Sequence, residues 1–535
     1  RKPAMKTALL TILAALAVAT SAHGAETTAK ADAIAPAPAT FQPGEIATTG
    51  SVTIAGTRIP YHAVAGTMIV HPKGWSDTDS LENNGEKGAK KPKAEASIFY
   101  TAYFKSGAPA ANRPITFLFN GGPGSSSIWL HMGAFGPVRV ETPDRAHSPG
   151  APYATVNNDE SLLDVSDLVF IDAPGTGFSR IAGPDKEAAF YGVDQDIHAF
   201  SKFIVRFLSK YQRWNSPKYL FGESYGTMRA AGMTLALQKE SIDLNGVILL
   251  SDILNWDLIP DDPQTNPGVD LPYIVSLPTY AATAWYHRKL ANRPADLSAF
   301  LAEVEQFATG DYALALMQGN ALPAEKRQAI AARLSGYTGL PVAYLLQSNL
   351  RIEYGAFQKE LLAGEALTTG TLDTRFTGAT LDPLSKIAGY DPQSTAIGAA
   401  YVAAFNDYAR GTLRYGEGIE FKPGIGIYES WDYKHQPPGA ERALTALPNV
   451  LPDLAVAMKQ NPRMKLLVTG GYFDVSTPYF AGVYELRHLP VPADIQANIE
   501  YRHYESGHMV YVNRAALKTF HADVADFIRR TDNIR

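Results

Sequence analysis

The chain has 535 residues, of which 46% are hydrophobic and 19% charged. That balance excludes global disorder and a collagen-like fibre, and the length exceeds one ordinary core, so one large domain with a big insertion or two to three domains is expected. Lys and Arg number 48 against 53 Asp and Glu, a formal charge of −5, which argues against a nucleic-acid binder because such a protein needs a basic face to displace counterions. The chain has no cysteine, so disulfides, thiolate nucleophiles, iron–sulfur clusters and a lipoprotein anchor are excluded. Metal ligands would have to be His and carboxylate, and no metal or cofactor is expected.

In chain order, Met5-Lys6 precedes an apolar run, Ala8 to Ala19, and then Thr20-Ser21-Ala22-His23-Gly24-Ala25. A positive start, a short apolar core and small residues at its end read as a secretory signal within residues 1–24, with Arg1–Ala4 upstream of the start and cleavage between Ala22 and Ala25. The run is short of the ~20 residues that span a membrane. The expectation is therefore an exported, soluble protein, periplasmic or secreted, without a membrane anchor.

Residues 25–45, rich in Ala, Thr and Pro, read as a flexible tether. Strands are expected at Ser51–Ile54, Thr57–Ala63 and Thr67–His71, and the polar, Lys-rich stretch 75–95 reads as a solvated loop. Apolar, mostly β-forming runs follow at Ser97–Phe104, Ile115–Phe119 and Leu168–Ile171. In Val193–Tyr211 the residues Ile197, Phe200, Phe203, Ile204, Phe207, Leu208 and Tyr211 share one helical face. Tyr219–Phe221 reads as a strand, Thr227–Lys239 as a helix and Gly246–Leu250 as a further strand. Strands alternating with helices predict a mostly parallel sheet covered on both faces.

The rhythm stops near Trp256. Helices are expected at Ala282–Leu290, Pro294–Ala308, Pro323–Arg333 and Ser394–Arg410, and the stretch 256–448 reads as a large, mostly helical cap insertion between two core parts, 46–255 and 449–535. The rhythm resumes with helix Pro452–Lys459, strand Met464–Val468, helix Tyr479–Leu489, strand Ile499–Tyr504 and helix Arg514–Arg529.

Three features carry chemistry. Gly222-Glu223-Ser224-Tyr225-Gly226 lies between a strand and a helix and fits the G-x-S-x-G nucleophile elbow of an α/β-hydrolase. Such a turn holds the serine in a strained backbone conformation, the glycines avoid clashes, and the helix N-terminus points N–H groups at developing negative charge. In that fold the acid and the base follow the serine in the order Ser, Asp/Glu, His, beyond strand ends. Asp474 follows the strand at 464–468 and His508 the strand at 499–504. His503 is the rival base, but it falls inside the strand pattern, so His508 is preferred. Finally, Asn120-Gly121-Gly122-Pro123-Gly124 follows the strand Ile115–Phe119. A glycine-rich loop there supplies one oxyanion N–H, from Gly122, and the residue after the nucleophile, Tyr225, supplies the other. Nothing matches H-E-x-x-H, a phosphate loop or a dinucleotide fingerprint.

These residues are similar to those of the serine carboxypeptidases, the family of carboxypeptidase Y and the wheat carboxypeptidases. Asn120 to Ser127 resembles its N-G-G-P-G-C-S-S segment, and Asp172-Ala173-Pro174-Gly175-Thr176-Gly177-Phe178-Ser179 its D-x-P-x-G-x-G-F-S stretch. Gly222 to Gly226 resembles the elbow, Asp474 to Pro478 the aspartate segment and Gly507-His508-Met509-Val510 the histidine segment. The stretch 256–448 has no matching segment. The resemblance implies removal of C-terminal residues from peptides with a free C-terminus, with Ser224 as nucleophile, His508 as base and Asp474 orienting it. It also implies that Asn120 and Glu223 bind the substrate's terminal carboxylate, which requires Glu223 to be protonated, because two ionised carboxylates repel. There are departures. Ser125 replaces the family's cysteine, and Leu118 its tryptophan. Ala134 stands where a second glutamate often sits, which weakens the expectation of a strongly acidic optimum. An esterase or acyltransferase using the same triad, and a silent binding protein on the same fold, are the alternatives. The oligomeric state is left open.

Overall fold

The computed structural model describes residues 41–74, 94–259, 266–445 and 447–534. The signal-like run, the tether up to residue 40 and most of the Lys-rich stretch lie outside these residues.

Two long strands open the described chain, β1 (Glu45–Ile54) and β2 (Thr57–Val70), paired antiparallel. β1 starts six residues before the expected strand and so takes up the end of the expected tether. β2 runs through Gly66, where two strands were expected. A Cβ at Gly66 would sit 2.7 Å from the Gly44 carbonyl, so this glycine marks close backbone approach rather than a break. β3 (Glu95–Lys105) pairs with β2, and then β4 (Ile115–Phe119), β5 (Asp167–Ile171), β6 (Lys218–Glu223), β7 (Gly246–Leu250), β8 (Lys465–Gly471) and β9 (Ile499–Tyr504) follow. The spatial order is β1-β2-β3-β5-β4-β6-β7-β8-β9, with a three-residue strand Arg180–Ala182 added against β3. The six strands from β5 to β9 are mutually parallel, and the first three are antiparallel. This strand order, with a serine turn at the end of β6, is the α/β-hydrolase arrangement.

Parallel strands buried on both faces must be apolar throughout, and β4, β5 and β7 are buried at every position. One face is covered by α1 (Val193–Lys210) and α2 (Tyr225–Lys239), with Phe200, Phe203, Ile204 and Phe207 of α1 in the core. Each such side chain contributes about 2–3 kcal/mol of apolar burial.

The chain between β7 and β8 holds α3 (Leu271–Tyr286), α4 (Leu297–Phe307), α5 (Ala324–Thr338) and α6 (Pro392–Asp407). α3 begins eleven residues before the expected helix. Pro278 reads as a breaker in sequence because it lacks an N–H, yet α3 is buried over most of its length and the proline is accommodated inside it. α7 (Leu451–Gln460) closes this stretch just before β8, and α8 (Tyr479–Arg487) and α9 (Arg514–Thr531) follow β8 and β9. α9 packs on the sheet face opposite α1, through Phe520, Val524 and Phe527. The ends of β4, β6, β7, β8 and β9 therefore open on one rim, where the chemistry-bearing loops gather.

Candidate active site

β6 ends at Glu223 and α2 begins at Tyr225, so Ser224 alone makes the turn, at φ 61° and ψ −131°. A non-glycine residue in that region is strained and persists only where its surroundings hold it. Here the Ser224 N–H donates to the Leu250 carbonyl at 2.9 Å, and the Thr227 N–H donates to the Ser224 carbonyl at 2.8 Å. The flanking glycines are required by space. A Cβ at Gly222 would lie 2.1 Å from the Gly226 carbonyl, and one at Gly226 would lie 2.8 Å from the Phe119 carbonyl.

Asp474 lies three residues beyond β8 and is fully buried. Its Oδ1 accepts the Ser476 and Thr477 N–H groups at 2.9 and 3.0 Å, and its Oδ2 accepts the Thr477 hydroxyl at 2.7 Å. The same Oδ2 meets His508 Nδ1 at 2.7 Å. Burial opposes a charge on His508, but attraction and the hydrogen bond from Asp474 win and raise its pKa above the ordinary histidine value. The end of β7 ties His508 and Ser224 together: the Leu250 carbonyl accepts from the Ser224 N–H, and the Ser251 hydroxyl donates to the His508 carbonyl at 2.8 Å. Among the described residues, the Ser224 hydroxyl makes no hydrogen bond, to His508 or elsewhere. Such contacts commonly tighten only when substrate binds. His503 packs against the rings of Tyr479 and Tyr472, 4.9 and 5.9 Å between centroids, and burial pushes it down to about 4. It lies away from Asp474's hydrogen bonds.

The glycine-rich loop after β4 presses onto the elbow. A Cβ at Gly121 would sit 2.4 Å from the Tyr225 nitrogen, and Gly122 has φ +114°, open to glycine. Neither the Gly122 nor the Tyr225 N–H donates to a described residue, so both amides are free to receive an oxyanion. The segment from Asp172 buttresses this loop, since Asp172 Oδ1 accepts the Ser127 N–H at 2.7 Å.

Asn120 and Glu223 are both buried beside the elbow, 3% and 2% exposed. The Asn120 carbonyl accepts from Arg229 at 2.7 Å, and its Oδ1 accepts the Leu130 N–H at 3.1 Å. Burial is the largest influence on Glu223 and pushes it up to about 7, while His508, Tyr511 and Asn120 pull the other way.

Sequence reading missed two tyrosines here. The Tyr511 hydroxyl donates to both Glu223 oxygens, at 2.8 and 3.1 Å. Tyr401, from α6, lies with the Tyr511 ring against Gly133, where a Cβ would be 2.4 Å from the Tyr401 hydroxyl. Two phenols thus crowd the backbone next to Ala134, the position of the missing second glutamate. Tyr511 stands three residues after His508, a signal that was available; Tyr401 carried none. A second miss is Asp252 with Glu485, buried carboxyls that burial raises in pKa. Among the described residues, no group of three or more His, Asp or Glu is placed to hold a metal ion, and no helix is long and apolar enough to cross a membrane.

Residues 88–251 match the family model described as serine carboxypeptidase. A carboxypeptidase Y homolog of Arthroderma benhamiae is 30% identical over 33% of this chain and 34% of its own. A serine carboxypeptidase-like protein of Arabidopsis thaliana, number 36, is 26% identical over 35% of this chain and 37% of its own. The chain thus spans about a third of the length of the curated relatives it matches. Among solved structures, VinJ aligns at 14% identity over 84% of this chain and 99% of its own, with a TM-score of 0.33.

Proposed function

We propose that this chain, whose residues 88–251 are of the serine carboxypeptidase family, is a serine-type carboxypeptidase working through an acyl-enzyme on Ser224. The Ser224 oxygen attacks the last peptide carbonyl while His508 Nε2 takes its proton. Asp474, on Nδ1, holds the tautomer and stabilises the imidazolium. The carbonyl oxygen, now negative, rests on the Gly122 and Tyr225 N–H groups, donors of a kind that contribute about 3–4 kcal/mol to the transition state. His508 then gives its proton to the departing amino acid. Water enters, loses a proton to His508 and attacks the ester carbonyl; the bond to the Ser224 oxygen breaks, His508 returns the proton to that oxygen, and the shortened peptide is released.

Asn120 and a protonated Glu223 hold the substrate's terminal carboxylate, which limits the reaction to chain ends. The insertion 256–448 acts as a cap that narrows the cleft. The run Ala8–Ala19 supports export, to the periplasm or the outside. The observation that carries the reading is the Asp474–His508 bond at 2.7 Å next to a positive-φ serine, both anchored on Leu250-Ser251.

Incubating the protein with a peptide mixture and reading products by mass tests it. Loss of single C-terminal residues, abolished in Ser224→Ala with the fold retained, is expected. Equal rates on free and amidated C-termini would refute carboxylate recognition, and hydrolysis by Ser224→Ala would refute the nucleophile.

A further inference from the structure

The insertion does more than roof the cleft. One of its segments, Thr371-Leu372-Asp373-Thr374-Arg375-Phe376, runs between the two loops that carry Asp474 and His508. On one side it bonds the residues flanking Asp474: the Thr374 N–H donates to the Phe473 carbonyl at 2.9 Å, and the Val475 N–H donates to the Thr371 carbonyl at 3.3 Å. On the other side the His508 N–H donates to the Leu372 carbonyl at 2.6 Å. The fit leaves no slack, because a Cβ at Gly507 would lie 2.4 Å from the Asp373 Cβ.

Arg375 locks this arrangement. Its guanidinium pairs with Asp373 at 2.6 Å, reaches the Ser506 hydroxyl at 3.2 Å and meets Asp144 at 3.1 Å. Asp373 is fully buried and Arg375 is 5% exposed, so the pair works in a water-poor site where removing one partner leaves an uncompensated charge. The segment is itself held by α3, through Thr283 Oγ1 to Thr374 Oγ1 at 2.7 Å, and by His287 Nε2 at 2.6 Å from the Thr374 carbonyl.

Asp474 and His508 sit on loops after different strands, and their 2.7 Å bond requires those loops to keep register. We propose that residues 371–376 of the insertion, locked by Arg375, are a positioning element for the Asp474–His508 pair. This rests on the serine-hydrolase reading above. Arg375 touches neither substrate nor reacting atom in that scheme and acts through the two loops.

The test is the rate at which a fluorophosphonate labels Ser224 in the full-length protein across pH, with circular dichroism and thermal melting as the check on folding. The charged groups around His508 are Asp474, Glu223 and Asp391, with the Asp373–Arg375 pair against Gly507 and Ser506. Arg375→Gln is expected to label about 100-fold more slowly, the cost of a misplacement near 1 Å. Arg375→Gln also deletes a cation and leaves Asp373 unpaired beside Gly507, both of which favour imidazolium. The acid limb is therefore read in Arg375→Lys, which keeps the charge; there it is expected to move to lower pH, because an imidazole turned off Asp474 loses the carboxylate that raises its pKa. The rate of Arg375→Lys, which lacks the fork, is expected to fall between. Should Arg375→Gln fail to fold, Ser506→Ala keeps every charge while removing the guanidinium's link to the His508 loop, together with the Ser506 hydroxyl's bond to the Val510 carbonyl at 3.1 Å; a limb shift to lower pH with a smaller rate loss is expected. A folded variant labelling at the wild-type rate with an unmoved limb would overturn the proposal. A wild type that is not labelled at Ser224 would overturn the serine-hydrolase reading and this proposal with it.

Discussion

Replacing Glu223 by Gln swaps an ionisable buried group for a neutral one of nearly the same shape. Glu223 is 2% exposed, and burial pushes it from 4.5 up to about 7. Each pKa unit corresponds to about 1.4 kcal/mol between protonation states, so ionising this carboxyl costs about 3 kcal/mol more in the folded protein than in the unfolded chain. The folded value lies above the unfolded one, so bound proton favours the fold. That contribution is complete below pH 4.5 and is lost as pH rises from 4.5 to about 7. Gln cannot ionise and escapes the loss. In urea unfolding of both proteins at pH 5 and pH 8, the stability of Glu223→Gln relative to wild type should therefore rise by about 2–3 kcal/mol. Comparing the two proteins at each pH cancels the titrating groups that do not interact with Glu223, as His508 and Tyr511 do. The same change carries a kinetic signature: KM for a free C-terminus should climb in wild type as pH passes about 7 and stay flat in the variant. A stability difference that does not move with pH would refute the buried-acid reasoning.

Tyr511→Phe removes a donor that favours the charged form of Glu223, so the rise in KM should move to higher pH; an unchanged profile would count against this role. His435 lies between Asp194 and Asp453, at 2.6 and 2.8 Å. Burial disfavours its charge, but the two carboxylates win and hold it at about 9. Its contribution is complete below the unfolded value of 6.5 and is lost as pH rises through about 9. Urea unfolding of His435→Gln should show a deficit at pH 6 that shrinks by pH 9.5. Arg229→Ala strips the partner from Asp196, both fully buried and 2.6 Å apart, and should cost about 3–5 kcal/mol in the same assay. Gly222→Ala places a methyl 2.1 Å from the Gly226 carbonyl, and its fluorophosphonate labelling should collapse because the elbow cannot keep its turn.

What the sequence by itself determined is local or ordinal. A serine between glycines, after an apolar strand and before a helix, reads as a positive-φ turn because few other residues tolerate that backbone crowding. Asp474 and His508 were findable because each stands just past a strand and after the serine in chain order. Alternating apolar strands and helices predicted a mostly parallel sheet, and the serine elbow with the Ser, Asp, His chain order narrowed it to the α/β-hydrolase class. The tertiary structure alone decided the rest. α3 tolerates Pro278 because packing outweighs local propensity, and β2 runs through Gly66 because another backbone lies against it. Tyr511 reaches Glu223 from 288 residues further along, and Tyr401 comes from α6 to lie against Gly133. Residues 371–376 meet the loops carrying Asp474 and His508 across about a hundred residues of chain or more. Contacts between side chains so far apart leave no period or motif, because neither partner's neighbours in sequence record what the fold will bring against it.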